Sequence, residues 1–202
     1  MSLRAVILFC VVLTGRCVPA IAAPVYTFGG PFNLRIPGDP DSTKGWMADA
    51  IIEVPEHLTI SDLDIGITIT HTKVFDLQIF LKSPSGTRVL LNMYDPFTEY
   101  FEGQNYDQTI FDDEASMPID EGKPPFTGRF RPREPSSLSA FDGQDAYGLW
   151  RLQIYDAYYA DAGWLKNCQL FITVPEPASA AFFLLAVTLL RLLRLRKSVR
   201  TF

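Results

Sequence analysis

Residues 76–93 read Asp-Leu-Gln-Ile-Phe-Leu-Lys-Ser-Pro-Ser-Gly-Thr-Arg-Val-Leu-Leu-Asn-Met. With Phe75 in front, Phe75, Leu77, Ile79 and Leu81 alternate with Asp76, Gln78, Phe80 and Lys82, the period of a strand with one buried face. Ser83-Pro84-Ser85-Gly86 has turn chemistry, and residues 88–93 form a second short apolar run, so residues 75–93 read as a hairpin. The same period appears on either side. Leu63, Ile65, Ile67 and Ile69 alternate with Asp64, Gly66, Thr68 and Thr70. Trp150, Leu152 and Ile154 form one late inward series, and Cys168, Leu170, Ile172 and Val174 form another. Residues 48–54 give a shorter candidate, and Asp161-Ala162-Gly163 is read as the turn joining the last pair of strands. Residues 95–125 are polar, with few strand signals, a candidate for functional loops. No segment between residues 23 and 173 carries a helical repeat. Several short antiparallel strands with one wet face predict an all-β sandwich or jelly roll.

The two ends of the chain differ from this middle. Arg4, the nine-residue apolar run 5–13 and the small residues of Ala20-Ile21-Ala22 read as a signal peptide over residues 1–22. The run is far short of the ~20 residues that span a bilayer. At the other end, Val174-Pro175-Glu176-Pro177 precedes the uncharged residues 178–190, then Arg191, Arg194, Arg196, Lys197 and Arg200. Leu192, Leu193 and Leu195 extend the apolar span if Arg191 and Arg194 snorkel, giving a short transmembrane helix with its basic end in the cytoplasm. Residues 174–202 are thus expected to be a membrane tail, and residues 23–173 an exported ectodomain.

That ectodomain holds 11 basic and 22 acidic residues, a net charge of −11 against −5 for the whole chain. Such a charge repels nucleic acid and favours cations or basic partners. Of the three cysteines only Cys168 lies outside the signal segment, so no disulfide is expected within the ectodomain.

The order of motifs resembles the P/Homo B domain, the accessory module behind the catalytic domain of proprotein convertases and bacterial subtilisin-like proteases. Ile52-Glu53-Val54 and residues 57–63 match its opening strands, and residues 76–87 its hairpin. Phe111-Asp112-Asp113-Glu114-Ala115 matches its acidic loop, and residues 126–132 and 138–143 the next block. Gly148-Leu149-Trp150-Arg151-Leu152 with Asp156, Asp161, Gly163 and Leu165 matches its close. The resemblance implies a galactose-binding-like jelly roll without catalytic function of its own, associated with serine-type endopeptidases and proteolysis. Cys168 stands where the family usually has Trp, and Trp164 is a neighbour expected to fill the space. The tail resembles the PEP-CTERM signal, in which a Pro-Glu-Pro motif, an apolar helix and terminal arginines are recognised by exosortase. That resemblance implies sorting at Val174, Pro175, Glu176 and Pro177 and a place in the cell envelope.

Catalytic residues are not evident. A serine triad needs a histidine base, and the two candidates, His57 and His71, read as surface or edge residues. No Gly-x-Ser-x-Gly motif is present. Cys168 reads as a buried hydrophobe. Carboxylate pairs for glycoside hydrolysis cannot be singled out among 22 acids.

Calcium needs six to eight oxygens. Asp112, Asp113 and Glu114 are the candidate ligands. Asp142 with Asp145, and Asp156 with Asp161, are further acidic pairs, the latter read as turn caps or calcium ligands. Tyr94, Phe97, Tyr100, Phe101 and Tyr106, and Tyr155, Tyr158 and Tyr159, form two aromatic groups suited to partner contacts or to a satellite core.

Three functions remain: a binding protein for a matrix or polysaccharide partner, an accessory to a separate subtilisin-like protease, and a carboxylate-based hydrolase.

Overall fold

The computed structural model describes residues 23–42, 44–93, 103–159 and 161–176. The expected signal peptide, Pro177, the apolar tail, and Tyr94, Phe97, Tyr100 and Phe101 lie outside these residues. Among the described residues no helix is long and apolar enough to cross a membrane.

Among the described residues ten strands follow in chain order: β1 (Val25–Ile36), β2 (Gly45–Trp46), β3 (Ala50–Val54), β4 (Asp62–His71), β5 (Leu77–Lys82), β6 (Arg88–Asn92), β7 (Tyr106–Phe111), β8 (Phe126–Phe130), β9 (Gly148–Asp156) and β10 (Gly163–Thr173). They form two sheets with spatial orders β1-β10-β4-β7-β8 and β2-β9-β5-β6, and β3 also pairs with β9. The sheets enclose one core. Ile65, Ile67, Ile69, Leu165, Leu170 and Ile172 come from the first sheet, and Leu77, Ile79, Leu81, Trp150, Leu152 and Ile154 from the second, each at 0–1% exposure. These are the inward positions of the period-two series, so the all-β sandwich is as expected. Trp150 meets its polar need inside the core by donating Nε1–H to the Ala146 carbonyl at 2.8 Å.

The central hairpin is β5 and β6, closed by Ser83 N–H to Thr87 O at 2.9 Å. Its first strand begins later than the alternation suggested. Val74–Asp76 is a single 3-10 turn, which shifts the phase: Asp76 is buried and Phe75 only half so.

Three other expectations are corrected. The pairing is not wholly antiparallel, because β7 and β8 run parallel at the edge of the first sheet. The turn at Asp161-Ala162-Gly163 does not close a hairpin. β9 lies in the second sheet and β10 in the first, so this segment crosses over the end of the sandwich. Residues 95–125 are not all loop, since β7 lies within them; a register shift between Asp107 and Thr109 removes the clean alternation.

Trp164 lies on the outer side of β10, 39% exposed, with Lys166 Nζ 5.0 Å from its ring centroid. It therefore does not fill space beside Cys168. The chain switches faces at a bulge between Leu165 and Asn167, which puts Leu165 and Cys168 both inward. Burial pushes the Cys168 thiol well above its ordinary pKa, so the residue is an inert hydrophobe.

Candidate functional site

Polar side chains gather at both ends of β4. At its start, Asp62 and Asp64 approach Glu114, which follows β7. One carboxylate oxygen from each lies within 4.8 Å of the others. Arg129 from β8 donates Nη1–H to Asp64 at 2.7 Å and to Asp112 at 2.6 Å. Burial raises the pKa of Asp64, against the pull of Arg129. Burial also opposes ionisation of Asp112, but hydrogen bonds from Arg129 and from the Glu114 N–H outweigh it and hold its carboxyl low. Glu114 is raised, first by its hydrogen bond with Asp112.

The three predicted calcium residues are thus divided. Glu114 joins Asp62 and Asp64, and Asp112 turns to Arg129. Asp113 accepts from the N–H groups of Leu138 at 3.0 Å and Ser139 at 2.8 Å, tying down the 3-10 turn Leu138–Phe141. Asp62 and Asp64 were missed. Their sequence signal was the alternation itself, which puts both on the outer face of β4.

The other end of β4 is closed to water. His71 is the next inward position after Leu63, Ile65, Ile67 and Ile69, and its side chain is fully buried with that of Asp156. The expectation of a surface histidine is corrected on that ground. Its Nε2–H donates to Asp156 Oδ2 at 3.2 Å, and Nδ1 lies 2.9 Å from the Lys73 carbonyl oxygen. Asp156 is likewise the inward position after Trp150, Leu152 and Ile154, directly opposite Leu77. Asp76, one residue before Leu77, donates its N–H to Lys73 O and accepts at its carbonyl from Ala157 N–H at 2.9 Å. Its Oδ1 lies 3.8 Å from Lys73 Nζ. Among the described residues, Oδ2 of Asp76 is the one buried side-chain oxygen or nitrogen without a hydrogen-bond partner. Burial pushes its pKa up to about 6; Lys73 works against this, and Asp161 and Asp156 add to it.

Asp156 also accepts weakly from Tyr158 N–H at 3.3 Å, the turn-capping bond expected of it. Asp161 accepts from the Thr72 hydroxyl at 2.6 Å. Gly163 completes the arrangement. It pairs with His71, and a Cβ there would lie 2.2 Å from the Thr70 carbonyl oxygen and 2.5 Å from the His71 ring. Only glycine lets β10 pass this close to the histidine.

The second histidine is unlike the first. His57 is exposed, donates Nδ1–H to Asp145 at 2.6 Å and stacks on Tyr147 with ring centroids 4.2 Å apart. Among the described residues, no serine hydroxyl is bonded to either histidine. Of the described aromatics, Tyr106 is fully buried and accepts from Asn92 Nδ2 at 2.7 Å, so it belongs to the core.

The motif residues 76, 156, 161 and 163 therefore meet at one end of one sandwich. A family model, that of the proprotein convertase P-domain, matches residues 60–172. The chain belongs to the P-domain family. The match covers more than half of the chain, including both ends of β4, and a P domain is a non-catalytic accessory module of serine proteases. The P domain here is also similar to part of a serine protease of Aeromonas sobria: 18% identity, TM-score 0.44, 80% of this chain and 28% of that one. A complex of the Aeromonas sobria serine protease with its chaperone matches at 17% identity and TM-score 0.42, over 76% of this chain and 28% of that one. The chain thus spans under a third of the length of these proteases. No curated protein matches it.

Proposed function

We infer that this chain is an exported, envelope-associated P-domain protein. It works as a non-catalytic binding module, accessory to a subtilisin-like serine protease carried on another chain. The observation that carries this reading is the P-domain match over residues 60–172, which lies within one continuous sandwich. The bonding of the two histidines supports the absence of a serine triad. His71 is sealed against Asp156 and Lys73, and His57 faces Asp145 at the surface.

Export rests on residues 1–22 as a signal peptide. Retention rests on Val174, Pro175, Glu176 and Pro177 as a PEP-CTERM-like motif read by an exosortase-like enzyme, with the apolar and basic tail in the membrane. Calcium binding at the start of β4 is the alternative to this reading rather than part of it. The oxygens of Asp62, Asp64 and Glu114 support it, and Arg129 competes with it.

Crosslinking of the full chain in its native envelope, followed by mass spectrometry, tests the reading. A subtilisin-like protease lacking its own P domain is the expected partner. Endopeptidase turnover by the purified chain, sensitive to a serine-directed inhibitor, would overturn it. The same spectra test the tail: the mature protein is expected to end near Pro177, and an intact terminus at Phe202 would reject processing.

A further inference from the structure

The outer face of the second sheet is where the charge balance of the domain reverses. Backbone register sets Lys82 of β5 opposite Arg151 of β9 on one side and opposite Arg88 of β6 on the other. The inward neighbours are Leu81, Leu152 and Val89, so all three cations point outward. Like charges directly opposite each other weaken a sheet. Here three stand in a row about 10 Å wide, on a domain with twice as many acids as bases.

Among the described residues, Arg151 alone of the three is matched by a carboxylate, Asp49 at 3.2 Å. Arg88 lies over the Phe80 ring, 3.6 Å from its centroid, which leaves the edge of its guanidinium for a ligand. Among the described residues Lys82 takes part in no ion pair.

The next rows of the same face are aromatic and amide. Trp46 is opposite Tyr155, which is opposite Gln78. Trp46 is 50% exposed. It is tilted 54° to Tyr155 at 5.0 Å and 41° to Phe80 at 6.2 Å, so neither ring stacks flat on the indole. Gln153 and Arg151 both donate to Asp49, which fixes that carboxylate beside the indole. A shallow concavity is lined by Trp46, Asp49, Lys82, Arg88 and Gln153. A second opens beyond Arg88, where Ser136, Ser137 and Ser139 add hydroxyls.

We propose that this face binds an acidic polysaccharide, with uronate carboxylates on Lys82 and Arg88 and a sugar ring against Trp46. Charge complementarity selects an anion. The exposed indole selects a rigid ring, and the oriented Asp49 and Gln153 suit hydroxyl groups. An acidic peptide could add to a terminal strand, β2 or β6, but it would leave the outward-facing indole without a ring to pack on. Duplex nucleic acid, with one charge per ~1.7 Å, would meet the repulsion of the whole acidic domain. This surface is separate from the accessory role proposed above and can fail without it.

The test is affinity gel electrophoresis of the full chain in detergent with EDTA, using alginate as a polyuronate, dextran as a neutral glucan and polyglutamate as an acidic peptide. Retardation by alginate and not by dextran is expected. Lys82→Gln with Arg88→Gln should weaken it at least tenfold, on the scale of lost charge-assisted hydrogen bonds. Trp46→Ala should weaken alginate binding while the chain still melts in one cooperative transition, and Lys82→Glu gives a second variant on the solvent side. No retardation by alginate would overturn the proposal. So would equal retardation by dextran, or equal retardation by polyglutamate with no effect of Trp46→Ala.

Discussion

At the start of β4, Asp62 and Asp64 share partly wetted space with Glu114 and Arg129; about 30 Å along the same strand, His71, Asp76 and Asp156 are sealed from water. At the first end Arg129, half exposed, answers two carboxylates. At the second end each group is fixed by a strand terminus, and one oxygen of Asp76 has no partner. Acidic residues near strand ends are therefore not equivalent. A buried group that loses its partner keeps its full desolvation cost, whereas an exposed one recovers water. The sealed end should govern stability, and the open end should tolerate change.

The largest expected effect breaks the sealed end outright. Asp156→Ala leaves His71 Nε2 buried without its acceptor and should cost about 3 kcal/mol in chemical denaturation. Asp145→Ala removes the partner of the exposed His57 and should leave the denaturation midpoint unchanged. Equal effects would erase the distinction between buried and exposed pairs. Next comes Gly163→Ala. Its Cβ would overlap the backbone of β4 at Thr70, and strain of that kind costs about 1–3 kcal/mol. A melting temperature equal to the wild type would mean that β10 can move away from His71 freely.

The sequence made the sandwich legible wherever alternation ran unbroken, as in Leu63 to Ile69 and Trp150 to Ile154. It hid β1, because Gly29-Gly30-Pro31 interrupts the period and the register shifts between Pro31 and Leu34. It hid the sealed end for a different reason. Each apolar series ends one step short of the buried polar residue, and His71 and Asp156 continue its inward phase. Asp76 could not be found that way, because the 3-10 turn before β5 breaks the phase. At the open end, Asp112 and Glu114 were visible as a run of acids. Asp62 and Asp64 enter only when β4 pairs with β7, a tertiary event that local pattern does not encode.

The pH dependence of stability sharpens the comparison further. The Asp76 carboxyl titrates near 6 in the folded chain and near the ordinary ~3.9 when unfolded. Between those values the folded state binds the extra proton, so stability falls as pH rises from about 4 to about 6 and is level above. The loss from this one group is on the order of 2 kcal/mol. In Asp76→Asn that contribution is gone. The variant should therefore gain on the wild type across the window when urea midpoints are compared at pH 4 and pH 7. A constant difference between the two proteins would show that Asp76 does not titrate there.

The smallest effect is expected at the open end, where calcium is the question. Asp62, Asp64 and Glu114 offer three oxygens close together, half of the six to eight that calcium takes. Arg129 already supplies positive charge to Asp64 and Asp112, so an ion must displace it or share with it. Millimolar calcium and magnesium should then raise the melting temperature slightly and alike, by screening the net charge of −11 on residues 23–173. Asp64→Asn with Glu114→Gln should leave both shifts nearly unchanged. Arg129→Ala is the informative variant, because it frees the carboxylates without removing any of them. If it makes the shift specific to calcium, and if Asp64→Asn in that background abolishes it, then the guanidinium occupies what would otherwise be a cation site. If calcium already exceeds magnesium in the wild type, Arg129 is no barrier and the open end is a metal site as it stands.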